Sequence, residues 1–184
     1  WKYNCLQRFR NGIFVIETRI ISKPTLQLLE FINECDRMNY NNNNSLESMK
    51  FNNTLRIGGN WFATFHNTKI VGISGVHPFL NGIRALFRGC QLYSIPGGLS
   101  KNHMNCWMFR YHLPIVINMY SNKPIYITTN TETDHSGKML KLNKLYHILA
   151  KKQIVEHLGC QKVFDTEQNI WKLNIKEYSP TQDI

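Results

Sequence analysis

Residues 60–76 read NWFATFHNTKIVGISGV, and the reading of this stretch decides the fold. Trp61–Phe65 and Ile70–Val76 are runs of aromatic and β-branched residues that suit a pleated, half-buried surface. They are joined by His66-Asn67-Thr68-Lys69, a connection of hairpin length, so the stretch is predicted to be a β-hairpin. Gly72 and Gly75 inside the second run predict a bulge or the close approach of another backbone. A second turn is expected over His77–Ile83, where Pro78 and Asn81-Gly82 punctuate the pattern. It leads into a strand at Ala85–Ser94. Three consecutive antiparallel strands are the economical reading.

Upstream, Gly12–Ser22 (GIFVIETRIIS) carries a strand signal ended by Lys23-Pro24. Thr25–Met38 then spaces Leu26, Leu29, Phe31, Ile32 and Cys35 at roughly helical intervals. Asn39–Asn53 is asparagine-rich, without clear period, and reads as a loop or a short helix at Leu46–Lys50. Downstream, Pro96-Gly97-Gly98 separates the Ala85–Ser94 strand from a helix expected over Asn105–Tyr120, with Asn105 as its N-cap. Pro114 lies near the middle of that helix and is predicted to kink or split it. A strand feeding a helix through such a turn presents backbone N–H groups to an anion. Ile125–Thr129 is a short apolar strand, and the strand–helix–strand order predicts a crossover to a parallel neighbour. Leu142–Leu158 has an apolar helical stripe stopped by Gly159. Lys162–Asp165 and Asn169–Ile175 read as closing strands.

The 184 residues, 42% of them hydrophobic, suit one globular domain spanning 1–184 with a real core. No apolar run approaches the ~18–20 residues of a membrane span, and the first residues lack a signal-peptide core, so a cytoplasmic protein away from membranes is expected. The five cysteines are widely spaced with no C-x-x-C pair, which argues against a thiolate metal site and against a disulfide framework. A net charge of +10 points to an anionic partner: nucleic acid, an acidic surface or a phosphorylated cofactor.

The element order, together with the hairpin NWFATFHNTKIVGISGV, resembles the GNAT superfamily of acyl-CoA-dependent N-acetyltransferases. The resemblance runs from about Phe14 to Leu173. It implies an α+β fold, layered α/β/α, with a mixed, mostly antiparallel sheet flanked by helices. It also implies acetyl-CoA, or another acyl-CoA, as co-substrate, with no metal. In that family the sheet splits between the fourth and fifth strands, here Ala85–Ser94 and Ile125–Thr129, and the co-substrate lies in the split. By resemblance, Leu92, Tyr93, Ser94 and Ile95 pair with pantetheine. Lys101, Asn102, His103, Met104 and Asn105 then meet the pyrophosphate. The family's loop has two spaced glycines there. The segment LSKNHMNC has none, since Gly97 and Gly98 come earlier, and it offers the charge of Lys101 instead.

The resemblance further implies direct transfer of an acyl group to an amine in a ternary complex, with Tyr146 protonating the leaving thiolate. His135 and Glu132, beside Asp134 just past the Ile125–Thr129 strand, are candidates for the base. Gln91 and Asn130 are expected to face the substrate, a small-molecule or peptide amine bound by a monomer or homodimer. Two other constellations carry less. Cys90 or Cys106 with His135 and Asp134 lacks the signature of a thiol triad, and His103, Cys106 and His112 lack a fourth convergent ligand for zinc. The alternative class is a non-catalytic basic module of the same fold that binds nucleic acid, with Arg84, Arg88, Arg110 and Lys101 among aromatics. No RNP, KH, helix-turn-helix or zinc-finger signature accompanies them.

Overall fold

The computed structural model describes residues 2–9, 12–21, 23, 25–31, 58–91, 112–131, 138–163 and 166–179. Their strands are β1 (Lys2–Phe9), β2 (Gly12–Ile21), β3 (Asn60–His66), β4 (Lys69–Phe79), β5 (Gly82–Gln91), β6 (Ile125–Asn130), β7 (Val155–Val163) and β8 (Thr166–Leu173). All eight join one sheet in the order β1-β2-β3-β4-β5-β6-β8-β7. Every neighbouring pair is antiparallel except β5 with β6, which run parallel. The mixed, mostly antiparallel sheet is therefore the one expected.

Sequence reading passed over β1. Half of its residues, Lys2, Asn4, Gln7 and Arg8, are polar, which suits an edge strand; among the described residues it pairs with β2 alone, from Lys2↔Arg19 to Phe9↔Gly12.

The hairpin forms with a tighter turn than its sequence suggested. His66 pairs with Lys69, leaving a two-residue loop with Asn67 at φ 56°, a conformation asparagine tolerates. The register shifts opposite Thr64/Phe65 and again on either side of Gly75 against β5, where the glycines predicted bulges. The expected turn at His77–Ile83 is narrower. β4 continues through Pro78 to Phe79, and only Leu80-Asn81 turn. Pro78 is tolerated because β3 pairs no further than Asn60↔Val76, so no neighbouring strand awaits an N–H from it. Its partner Ile83 donates the other way, to the Pro124 carbonyl at 2.9 Å.

Residues 26–31 form helix α1, capped by Thr25 Oγ1, which accepts from Leu28 N at 3.2 Å. The rest of the expected 25–38 helix and the 39–53 loop lie largely or wholly outside the described residues. Helix α2 (Leu113–Met119) starts one residue after His112 and holds Pro114 in its first turn. Ile115 N and Val116 N both donate to His112 O, so the proline's missing N–H costs nothing and no mid-helix kink arises. Asn105 lies outside the described residues.

Helix α3 (Lys138–Lys151) ends earlier than the apolar stripe predicted. Gln153 takes φ 60° and Ile154 N returns to Leu149 O, a left-handed helix end made without glycine. Ile154 and Val155 are buried in the same core as the helical stripe, so the helical and strand patterns merge in the sequence. Gly159, at φ 99°, instead occupies the bulge between His157 and Cys160 within β7. β8 likewise ends at Leu173 rather than Ile175.

The main core lies between one sheet face and helices α2 and α3. Phe62, Val76, Ile83, Ala85, Ile125, Ile127, Trp171 and Leu173 meet Leu113, Val116, Tyr146 and Leu149 there. A smaller cluster of Tyr126, Val163 and Ile170, with Phe79 against it, occupies the opposite face.

Candidate functional site

β5 is ten residues long and β6 six, yet they pair at only two positions, Ile83↔Ile125 and Arg84↔Tyr126. Beyond Arg84, β5 stays with β4 as far as Gln91↔Gly72, while β6 stays with β8 as far as Asn130↔Gln168. The two strands therefore part, and a cleft opens towards their C-terminal ends. Backbone groups on the facing edges beyond the last pair take no part in a shared β5–β6 ladder.

The closed end of the cleft is held by close contacts. A Cβ on Gly82 would stand 2.1 Å from the Pro124 carbonyl oxygen, so only glycine lets β6 enter so near β5. Tyr126 Oη donates to Asn81 Oδ1 at 2.5 Å, tying β6 to the β4–β5 turn. Arg84, 8% exposed, donates from Nε to Thr128 Oγ1 at 2.7 Å and from Nη2 to Gln168 Oε1 at 3.1 Å.

Of the residues expected at the site, Leu92, Tyr93, Ser94, Ile95, Lys101, Asn102, His103, Met104, Asn105, Glu132 and His135 lie outside the described residues. Gln91 ends β5 and Asn130 ends β6, so the backbone brings them to the open ends of the two parting strands. The Asn130 carbonyl accepts from Asn143 Nδ2 at 2.9 Å, which anchors α3 to the end of β6.

Tyr146 is on the core side of α3, 2% exposed, its ring stacked on Trp171 with centroids 5.5 Å apart. Burial raises its phenol pKa well above the usual tyrosine value, so the hydroxyl keeps its proton at neutral pH. A chain of hydrogen bonds that sequence reading missed fixes this arrangement. Trp171 Nε1 donates to Thr129 Oγ1 at 2.9 Å, and Thr129 Oγ1 donates to Asn143 Oδ1 at 2.5 Å. Asn169 Nδ2 reaches the same Asn143 oxygen at 3.3 Å. Thr129, Asn143 and Asn169 are short polar residues without any motif, so only their convergence in space identifies them.

His112 has a different role from the metal-ligand spacing in which it was weighed. It is fully buried, with Nε2 hydrogen-bonded to Thr64 Oγ1 at 2.6 Å and Nδ1 to Ser74 Oγ. Thr64 Oγ1 is also bonded to Thr18 Oγ1 at 2.9 Å. Both ring nitrogens are thus engaged by strand hydroxyls. Desolvation pushes the imidazole down to about 3, so it is neutral, one nitrogen donating and the other accepting. Among the described residues no group of His, Cys, Asp or Glu is arranged to hold a metal ion. A separate open cavity of about 500 Å³ lies between the end of α3 and β7–β8, bordered by Gln153, His157, Lys172 and Asn174. None of its lining residues is on β5 or β6.

No protein-family model matches the chain, and no curated protein matches it in sequence. Solved structures do match in shape. The chain is similar to an acyl-CoA N-acyltransferase from Pseudomonas aeruginosa, at 6% identity and TM-score 0.53, over 87% of this chain and 99% of that one. It is similar to a probable acetyltransferase from Staphylococcus epidermidis, at 12% identity and TM-score 0.53, over 85% and 97%. Escherichia coli ElaA also matches, at 10% identity and TM-score 0.50, over 86% and 99%. Identities this low speak to architecture alone. The mixed, mostly antiparallel sheet with its flanking helices matches the fold of the acyl-CoA N-acyltransferases.

Proposed function

We propose that this chain is an acyl-CoA-dependent N-acyltransferase that transfers an acyl group, acetyl in the simplest case, to an amine. The observation that carries the reading is the parting of β5 and β6 after Arg84↔Tyr126. It leaves two strand edges on either side of a slender cleft, which fits the pantetheine arm of an acyl-CoA. Leu92–Ile95 and the basic segment around Lys101 continue from the β5 side in sequence and are the residues proposed to hold it.

The co-substrate supplies an activated thioester. The chain's own part is to align the amine with the carbonyl, accept a proton from the amine and return one to the thiolate. Tyr146 is proposed for the last task by its resemblance in position to the family's tyrosine, on the helix that follows β6. His135 or Glu132, after β6, is proposed as the base, and Gln91 and Asn130 as contacts to the acceptor, a small molecule or peptide.

Acetyl-CoA at a hundredfold excess over its Kd is expected to stabilise the folded chain by about 2.7 kcal/mol. For a domain of this size that is a rise of ~5–10 °C in Tm. With an acceptor in hand, Tyr146→Phe is expected to lower kcat by ~10²–10⁴ while leaving acetyl-CoA affinity unchanged, since the ring that stacks on Trp171 is retained. Absence of any shift with acetyl-CoA, longer acyl-CoAs or free CoA, joined by salt-sensitive binding to DNA or RNA, would replace this reading with the nucleic-acid module.

A further inference from the structure

We infer that Arg84 is a positioning residue, a strap across the closed end of the cleft that sets how far β5 and β6 stand apart. The inference about ligand affinity rests on the proposed acyl-CoA reading; the inference about the strap does not.

Arg84 is the last β5 residue in register with β6. Its neighbours Ile83 and Ala85 belong to the main core beneath the helices, so strand alternation sends the Arg84 side chain to the opposite face. There it reaches past Tyr126 in the direction in which the strands diverge. Nε donates to Thr128 Oγ1 on β6 and Nη2 to Gln168 Oε1 on β8. One side chain thus ties β5 to two strands of the other arm, β6 and β8, beyond the point where the backbone ladder stops.

The far anchor is itself held. Gln168 Nε2 donates to Thr166 Oγ1 at 2.8 Å and to the Val163 carbonyl at 3.3 Å, which turns its Oε1 towards the guanidinium. A buried cation is costly, and an apolar residue would fill the same space at less cost. The planar fork of arginine offers something an apolar residue or a lysine does not: donors in fixed, different directions that reach two strands at once. Width matters in such a cleft because both strand edges must lie within hydrogen-bond reach of a narrow ligand. A shift of about 1 Å in a supporting element is enough to cost a hundredfold in function.

The test uses the full chain with Arg84→Lys, which keeps the charge, and Thr128→Val, which removes one acceptor at constant size. Backbone hydrogen exchange without ligand is expected to quicken at least fivefold across 83–91 and 125–130 in both variants and to stay as in wild type across β3. Acetyl-CoA binding measured by calorimetry is expected to weaken about tenfold in each. The Arg84→Lys/Thr128→Val double variant is expected to lose little more than either alone, since both cut the same strap. With an acceptor, the loss should appear in KM for acetyl-CoA, with kcat within threefold of wild type. Wild-type exchange in β5 and β6 of both variants would overturn the strap, as would acceleration spread evenly over β1–β4, which marks general destabilisation. If the wild type binds no acyl-CoA, the proposed function falls while the exchange data still decide the strap.

Discussion

The imidazole of His112 is held by the hydroxyls of Thr64 and Ser74 just ahead of α2, and its chemistry follows from that environment. In the unfolded chain it takes a proton near 6.5; in the native state it stays neutral down to about 3. The unfolded state therefore binds more protons within that window. Stability is fully present above about pH 6.5 and is lost as pH falls towards 3, by an amount on the order of a few kcal/mol. His112→Gln, neutral at every pH, is expected to be less stable at pH 7 and to show a smaller drop in urea midpoint between pH 7 and 5. An equal drop in variant and wild type would assign the acid sensitivity elsewhere. Residue identities were legible in the sequence, but their roles were not. The spacing of His103, Cys106 and His112 offers no fourth ligand for zinc, and the actual partners of His112, Thr64 and Ser74, are 48 and 38 positions away, beyond any local pattern.

At the scale of elements, the entry of β6 beside β5 depends on Gly82. Its missing side chain admits the Pro124 carbonyl, and Ile83 N then donates to that oxygen. Gly82→Ala places a methyl against main chain rather than against a side chain that can turn aside. It is expected to destabilise the fold by about 1–3 kcal/mol and to weaken acetyl-CoA binding, read by denaturant titration and calorimetry. Unchanged stability would mean that the closed end of the cleft is softer than its contacts indicate. The hairpin at 60–76, the parallel β5–β6 pair and the strand at 125 were readable from β-branched runs and turn residues. The boundary between α3 and β7 was not. Ile154 and Val155 continue the helical stripe and also pack into the core as the strand begins, so one apolar pattern served two elements.

At the scale of the molecule, the main core of the described residues joins two arms of sheet that share two residue pairs of ladder. The second arm ends in β7, whose Glu156, His157, Leu158, Cys160, Gln161 and Lys162 are exposed and which, among the described residues, pairs with β8 alone. Amides of β7 that point away from β8 are expected to exchange orders of magnitude faster than those of β4, which is paired on both sides. Hydrogen exchange resolved by NMR checks this. Protection of the β7 edge equal to that of β4 would mean that another chain pairs with it in solution. The exposed face of α3 carries Lys144 and Lys151, part of the +10 charge that the sequence displayed from the outset.

By itself the sequence determined the hairpin at 60–76, the strands at 12–21 and 125–130 and the parallel crossover, because these follow from local residue preferences and from periodicity over a few positions. Gln91 and Asn130 stand at the ends of β5 and β6, and Tyr146 lies mid-helix in α3. Only the tertiary structure decided that β5 and β6 part after Arg84↔Tyr126, that a guanidinium bridges the parting, and that Thr129, Asn143 and Trp171 act together behind Tyr146. The reason is range. Such groups meet across 14 to 84 positions of chain, and burial and hydrogen-bond satisfaction choose their partners rather than any local pattern.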